Sequence, residues 1–292
     1  MNRRRFMMTL AAATAPALPA ITPSIFAQDF PNPAGDELYK PTYGQSGKDV
    51  VWIPTPDSLV RRMLEIAKVT NQDLVFDLGA GDGKIPIAAA RFFGATAKGI
   101  EYNAEMASLA RRNAERAGVS DKVEIITGDI FDPKLQQRFM QANIITMYLL
   151  PDLNLRLRPS ILQMRPGTRV VSHAFHMGEW EPDETFSVDN RDAFYWIVPV
   201  NVQGRWTLRE DSNGWEGAVD LTQRFQRVGG TMLIKNKTQP LLGAYVNGEV
   251  LGFTFVDADD KVRSVRVTVR GDNAEGGLRS AGVATTIKGQ RR

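Results

Sequence analysis

The sequence predicts an α/β protein in two parts: a doubly wound, mostly parallel sheet covered by helices, then a small antiparallel β-barrel or sandwich. Three observations carry that expectation. Between Val50 and Phe175, short apolar runs alternate with segments of helical periodicity, the pattern of parallel strands joined by helical crossovers. After Trp180 the helical period stops, and strand-like runs recur at roughly 8–12 residue spacing between tight turns. A glycine-rich turn, Gly79-Ala80-Gly81-Asp82-Gly83, stands between a strand and a helix, where open α/β sheets receive ligands.

The chain starts MNRRRFMMTLAAATAPALPAITPSIFAQ: a basic start, a weakly apolar Ala-rich stretch, then small residues. This is the three-part layout of an export signal, expected over 1–27. Arg3-Arg4, one spacer and Phe6-Met7 resemble a twin-arginine signal, with Asn2 and Met8 departing from its usual flanks. The expected location is therefore periplasmic or secreted, or cytoplasmic if the signal is not used. Residues 28–49, rich in Pro, Gly and polar side chains, read as an irregular arm. Trp52-Ile53-Pro54-Thr55-Pro56 is stiffened by two prolines and is placed to lie across a pocket as a lid.

Helical spacing of Leu59, Met63, Ile66 and Ala67 predicts a helix over Asp57 to Lys68, with Thr55 or Asp57 as its N-cap. LVFDLG then reads as strand, Ile85 to Phe93 as helix, ATAKGIEY as strand and Ala104 to Ala117 as helix. KVEIITGD and ANIITMYLL read as strands, Leu155 to Met164 as helix and GTRVVSHAF as strand. The first domain is expected over 50–188. The second, over 189–292, holds FYWIVPVNVQGRWTLRE and the later strands, divided at Ser212-Asn213-Gly214, Gly229-Gly230 and Asn247-Gly248.

Composition narrows the function. Net charge is +3, but Arg3, Arg4 and Arg5 account for it, so no surface is marked for nucleic acid. The chain has no cysteine, which removes disulfides, thiolate metal sites and a cysteine nucleophile. No apolar run approaches the roughly 20 residues of a membrane span, so stable membrane insertion is not expected.

Glycines at 79, 81 and 83 permit unusual dihedrals and let a ligand approach bare backbone. The spacing departs from the G-x-G-x-x-G of dinucleotide sites. Asp77 before the turn and Asp82 within it would oppose a pyrophosphate. They suit a ligand carrying an ammonium and a sulfonium, which points to S-adenosyl-L-methionine. Glu101, ending GIEY, is placed to accept ribose hydroxyls. Asp129 can accept from an adenine amino group while Ile130 packs on the ring. No other cofactor and no metal is expected: His173 and His176 are the only histidines.

Val51 to Phe175 resembles the class I S-adenosylmethionine-dependent methyltransferases. Their first motif corresponds to VFDLGAGDG, their acidic second-strand motif to GIEYN and their third-strand motif to ITGDI. The lead-in VWIPTPDSLVRRML and the core resemble bacterial relatives of a Dot1-like lysine methyltransferase group. The resemblance implies a Rossmann-like methyltransferase sheet and transfer to an N or O acceptor, either a protein lysine or a small molecule.

For the acceptor, the fourth strand reads ITMYLLPDLN and lacks an N-P-P-Y or D-P-P-Y sequence. Tyr148 stands in its place as a candidate catalytic residue that orients or walls the acceptor, with Asn154 as a polar contact. His173 is a candidate proton acceptor. Gly204-Arg205-Trp206 resembles the first strand of lipocalin-like barrels, with Trp206 as core. Export conflicts with a cofactor made in the cytoplasm, which leaves two alternatives to an active enzyme. One is an exported nucleoside-binding protein without turnover; the other is an interaction protein working through its β-domain. Oligomeric state is not read from the sequence.

Overall fold

The computed structural model describes residues 35–212 and 214–292. The segment expected as an export signal, the start of the arm and Asn213 lie outside them. The first sheet has seven strands in the order β3-β2-β1-β4-β5-β7-β6. Its parallel members are β1 (Leu74–Leu78), β2 (Thr96–Glu101), β3 (Val123–Thr127), β4 (Ile144–Met147) and β5 (Arg169–His173). The strands wind outward from β1 in one direction and from β4 in the other, so the crevice at their carboxyl ends lies between these two neighbours.

The connecting helices follow from buried periodic residues. α1 (Asp57–Ile66) buries Leu59, Val60, Met63, Leu64 and Ile66. Its N-cap is Pro56, whose side chain has no acceptor, rather than either expected cap; Thr55 bonds His173 and Asp57 pairs with Lys84. α2 (Lys84–Phe93) starts directly on Gly83, and α3 (Ala104–Arg116) is capped by Asn103, whose Oδ1 accepts the N–H groups of Glu105 and Met106. α4 (Pro133–Phe139) has no counterpart in the periodicity, since Phe139 is its one buried residue; its signal is the cap Asp132 and Pro133 at the first turn. α5 (Pro151–Leu162) starts at Pro151 rather than Leu155. Its Leu153, Leu157 and Ile161 pack with Phe76, Ile145, Met147 and Trp196 into one core.

The run FYWIVPVNVQGRWTLRE divides between the two sheets. Asp189 and Asn190, with φ of 51° and 58°, turn β6 (Glu184–Val188) back into β7 (Arg191–Ile197). β7 pairs antiparallel with β5, from Arg169↔Ile197 to His173↔Ala193, so the first sheet runs on through Ile197 rather than ending at Val188. Pairing with β5, which no local pattern announces, draws these aromatic residues into the first core.

The remaining strands are β8 (Gly204–Glu210), β9 (Glu216–Arg224), β10 (Arg227–Ile234), β11 (Lys237–Pro240), β12 (Leu242–Asn247), β13 (Val250–Val256), β14 (Val262–Arg270), β15 (Asn273–Ser280) and β16 (Val283–Arg291). Antiparallel pairing runs from β12 to β16, on to β8 and β9, and closes through β9–β10 and β10–β12, with β11 attached to β10. This is an eight-stranded barrel. Its interior is filled by Trp206, Leu208, Val219, Met232, Phe253, Phe255, Val267 and Ile287 among others, all buried. Trp206 donates to the Val202 carbonyl at 2.8 Å and lies 4.7 Å beneath the Arg291 guanidinium. The β9–β10 turn meets the first sheet: Phe225 stacks on Trp180 at 6.1 Å and Gln226 donates to the Glu181 carbonyl at 2.7 Å. Among the described residues, no helix is long and apolar enough to cross a membrane.

Candidate active site

At the carboxyl end of β1 the chain leaves the sheet through Gly79, Gly81 and Gly83, all in the left-handed region, with φ of 82°, 54° and 85°. The arm before α1 folds over this turn as a short hairpin. Gly44 N–H donates to the Trp52 carbonyl, Trp52 N–H to the Gln45 carbonyl, and Gly47 N–H to the Val50 carbonyl. A Cβ on Gly81 would meet Trp52 Nε1 at 2.9 Å, so the bare backbone here receives the indole. A Cβ on Gly83 would meet Ala110 Cβ at 3.1 Å, so bare backbone here also lets α3 pack closely.

Two adjoining hollows form one cleft beneath the arm. The first is lined by Asp77, Asp82, Lys84, Glu101, Thr55 and Tyr148. The second is lined by Lys48, Tyr102, Asp129, Ile130 and Leu149, and Gly79 and Glu101 border both. The sequence-predicted cofactor residues are thus gathered in one place, apart from Gly83, which sits just behind.

The carboxylates carry unusual electrostatics. Asp77 is 3% exposed and accepts one hydrogen bond, from Thr146 Oγ1 at 2.6 Å. Burial pushes its carboxyl up to about 7; the Thr146 hydroxyl pulls against that, and the charges of Glu101 and Asp82 add to it. Burial likewise raises Asp82 to about 6, opposed by the Lys84 ammonium. Burial also raises Glu101, although the N–H groups of Asn103 and Gly81 donate to it at 2.8 and 2.9 Å. Three desolvated carboxyls in one cleft disfavour one another and favour a bound cation. This donor set fits a sulfonium and an ammonium, and does not fit a pyrophosphate.

Asp129 is differently placed. Its Oδ1 accepts from Phe131 N–H at 2.8 Å and its Oδ2 from Lys48 Nζ at 2.5 Å, across the mouth of the cleft. Burial opposes ionisation, but Lys48 and the Phe131 N–H together hold the carboxyl below its usual range. Lys48 also lies 4.9 Å over the Tyr102 ring. The adenine-accepting role expected of Asp129 therefore has to share its oxygens with the arm.

On the acceptor side, Tyr148 lines the cleft and packs against the His173 ring, with centroids 3.8 Å apart and the planes tilted by 34°. His173 is 1% exposed and hydrogen-bonded through Nδ1 to Thr55 Oγ1 at 3.0 Å. Burial lowers it to about 4, with Arg191 assisting. It stands behind the cleft wall rather than in it, so the geometry does not support proton acceptance from a substrate. His176 meets Phe194 edge-on at 5.8 Å and lines neither hollow. Asn154 is buried inside α5 and donates to Ser172 Oγ and the Phe175 carbonyl, so it makes no contact with the cleft. No metal-holding group of side chains occurs among the described residues.

A model of the ANTKMT methyltransferase domain matches residues 77–184. A protein-lysine N-methyltransferase of Saccharolobus islandicus is 43% identical over 155 residues, covering 51% of this chain and 94% of the relative. The chain belongs to the class I S-adenosylmethionine-dependent methyltransferases, in the ANTKMT-like protein-lysine methyltransferase family. A lysine N-methyltransferase of Mus musculus, named for a component of ATP synthase, is 29% identical over 135 residues, and the match spans 52% of its length. Among solved structures, an RNA methyltransferase from Salinibacter ruber, in complex with S-adenosyl-L-homocysteine, is 44% identical. It covers 51% of this chain and 96% of its own, with a TM-score of 0.49. The cofactor of this methyltransferase is S-adenosyl-L-methionine.

Sequence reasoning missed Thr146, Lys84 and Lys48. Lys84 Nζ pairs with Asp57 at 2.8 Å and donates to the Thr55 carbonyl at 3.1 Å, tying the arm to the start of α2. Its position directly after the glycine turn was a signal that could have been read. Thr146 had none, because its partner Asp77 is brought alongside only by β1–β4 pairing.

Proposed function

We propose that this methyltransferase transfers the methyl group to the ε-amine of a protein lysine. The reading is supported by the carboxylate-lined cleft at the β1–β4 switch point, together with the 43% identical lysine methyltransferase. S-adenosylmethionine, when bound, supplies an electrophilic sulfonium methyl. In this reading Asp77 and Asp82 balance the cofactor's positive charges, Glu101 accepts from its ribose, and Asp129 with Ile130 receives the adenine. Gly79, which borders both hollows, offers bare backbone beside it. Tyr148 walls the acceptor amine so that it approaches in line. In-line displacement requires alignment more than acid–base chemistry, which agrees with a site whose one histidine is sealed behind the wall.

Export belongs to the same proposal: the basic Arg3-Arg4-Arg5 start supports a periplasmic enzyme loaded with cofactor before or after transport. The test is incubation of the full chain with methyl-labelled cofactor and a periplasmic protein extract, followed by hydrolysis and amino-acid analysis. Labelled methyllysine is the expected product. Label in RNA alone, or in a small molecule alone, would overturn the acceptor assignment, and a chain that binds cofactor without releasing labelled product would favour the binding-protein alternative.

A further inference from the structure

Two walls of the cleft converge on one buried side chain that does not itself reach the cleft. Thr55, 5% exposed, belongs to the arm; Tyr148 follows β4; both line the cleft. His173 holds the first through Nδ1 at 3.0 Å and the second by a tilted ring contact, with centroids 3.8 Å apart. The backbone that carries the imidazole is fixed as well. Ala174 sits at φ 64° and donates to the Asp192 carbonyl at 2.8 Å, while Phe175 N–H donates to the His173 carbonyl at 2.8 Å. Phe175 also stacks against Tyr148 at 6.2 Å. Lys84 holds the Thr55 carbonyl from the other direction at 3.1 Å.

We propose that His173 is a positioning residue that sets the spacing of two cleft walls, by pinning Thr55 of the arm and Tyr148 beyond β4 to a single imidazole. The inference rests on the methyl-transfer reading for its consequence, but not for its geometry. A neutral imidazole is what this role needs, because a hydroxyl and an aromatic face are both satisfied without a charge, and burial keeps the ring neutral. In-line transfer responds steeply to misplacement: an error of about 1 Å costs on the order of a hundredfold in rate. Releasing either wall should therefore lower turnover while leaving the carboxylates that face the cofactor untouched.

The test uses the full chain with Thr55→Val, Thr55→Ser, His173→Phe and the Thr55→Val/His173→Phe double variant. Thr55→Val keeps the shape and removes the hydroxyl; His173→Phe keeps a ring against Tyr148 and removes the ring nitrogen. The first readout is hydrogen–deuterium exchange of segment 44–55 in the cofactor-free protein. Exchange should rise in Thr55→Val and His173→Phe alike, rise no further in the double variant, and return to the wild-type rate in Thr55→Ser. The second is transfer of labelled methyl to poly-L-lysine. Here kcat should fall about tenfold or more in each of the two disruptive single variants, with cofactor Kd within about threefold and non-additive loss in the double variant. Unchanged exchange, additive losses, or a cofactor Kd that worsens in step with kcat would each overturn the proposal. If the wild-type chain transfers nothing to any acceptor, the function reading fails, while the exchange result still decides this one.

Discussion

Asp77 and Asp82 at the end of β1 and in the turn after it, and Glu210 and Asp257 in the barrel, are all nearly sealed from water, yet their surroundings differ. At the barrel mouth, Arg263 Nε reaches Asp257 at 2.5 Å and Nη1 lies 3.7 Å from Glu210. The N–H groups of Asp259 and Lys261 complete Asp257, and Ser212 Oγ donates to Glu210 at 3.0 Å. Burial opposes ionisation of Asp257, but these donors together lower its carboxyl below the usual range. Asp77 has a single hydroxyl for company and moves the opposite way. A buried carboxylate supplied with its own cation belongs to the architecture. One left without a cation is a place for a charged ligand.

The largest effect that separates the two regions is expected from Arg263→Met. Removing one partner from a buried ionic group costs about 3–5 kcal/mol, so denaturant unfolding should shift strongly. The fraction that remains folded should bind S-adenosylmethionine normally, because the barrel supplies no lining residue to the first hollow. Weakened cofactor binding by the folded protein would instead join the two regions into one device.

Asp77→Asn should behave in the reverse sense. Cofactor affinity falls about tenfold or more, since a charge-assisted hydrogen bond is worth roughly 1.5–3 kcal/mol. The cofactor-free protein at pH 8 keeps or gains stability, because a desolvated charge has been removed. Calorimetric titration and thermal unfolding of the same sample read both effects; unchanged affinity would sink the assignment of Asp77 to the cofactor.

pH sharpens the same contrast. The folded value of Asp77, about 7, stands above the ordinary 3.8 of an unfolded aspartate, so between these values the folded cofactor-free protein holds a proton the unfolded chain lacks, and its stability falls as pH rises through that window. A cationic ligand favours the ionised carboxyl. Cofactor binding should therefore release protons and weaken as pH falls from 8 to 6, by up to about tenfold for one linked proton. Titration in two buffers of different ionisation enthalpy reports the proton count. A flat profile would mean that Asp77 does not face the charge.

The smallest effect belongs to the arm. Lys48→Ala removes a pair whose side chains are 37% and 31% exposed. Such pairs contribute about 0–1 kcal/mol, so cofactor dissociation should quicken by no more than about fivefold, and less at high salt. A much larger change in stopped-flow dissociation would promote Lys48 from a surface latch to part of the adenine site.

Much of the site was legible because it is local. Val75 to Gly83 specifies a strand, a left-handed turn and a helix start within one short stretch, and Glu101 and Asp129 mark the same ends of the next two strands. Hydrophobic period likewise announced α1, α2 and α3. The illegible parts depend on chain segments far apart in sequence. Thr146 meets Asp77 across 69 residues, and Thr55 meets His173 across 118. β7 joins the first sheet because β5 offers it an edge, although its own pattern reads as barrel.

The sequence by itself determined the α/β order, the turn that needs glycine at three left-handed positions, and the acidic character of the cofactor cleft, because dihedral preference and charge are properties of single residues and near neighbours. The tertiary structure decided which of those charges stand without a partner, which histidine is sealed away and where the barrel closes. Burial, pairing and register exist only once distant segments have packed together.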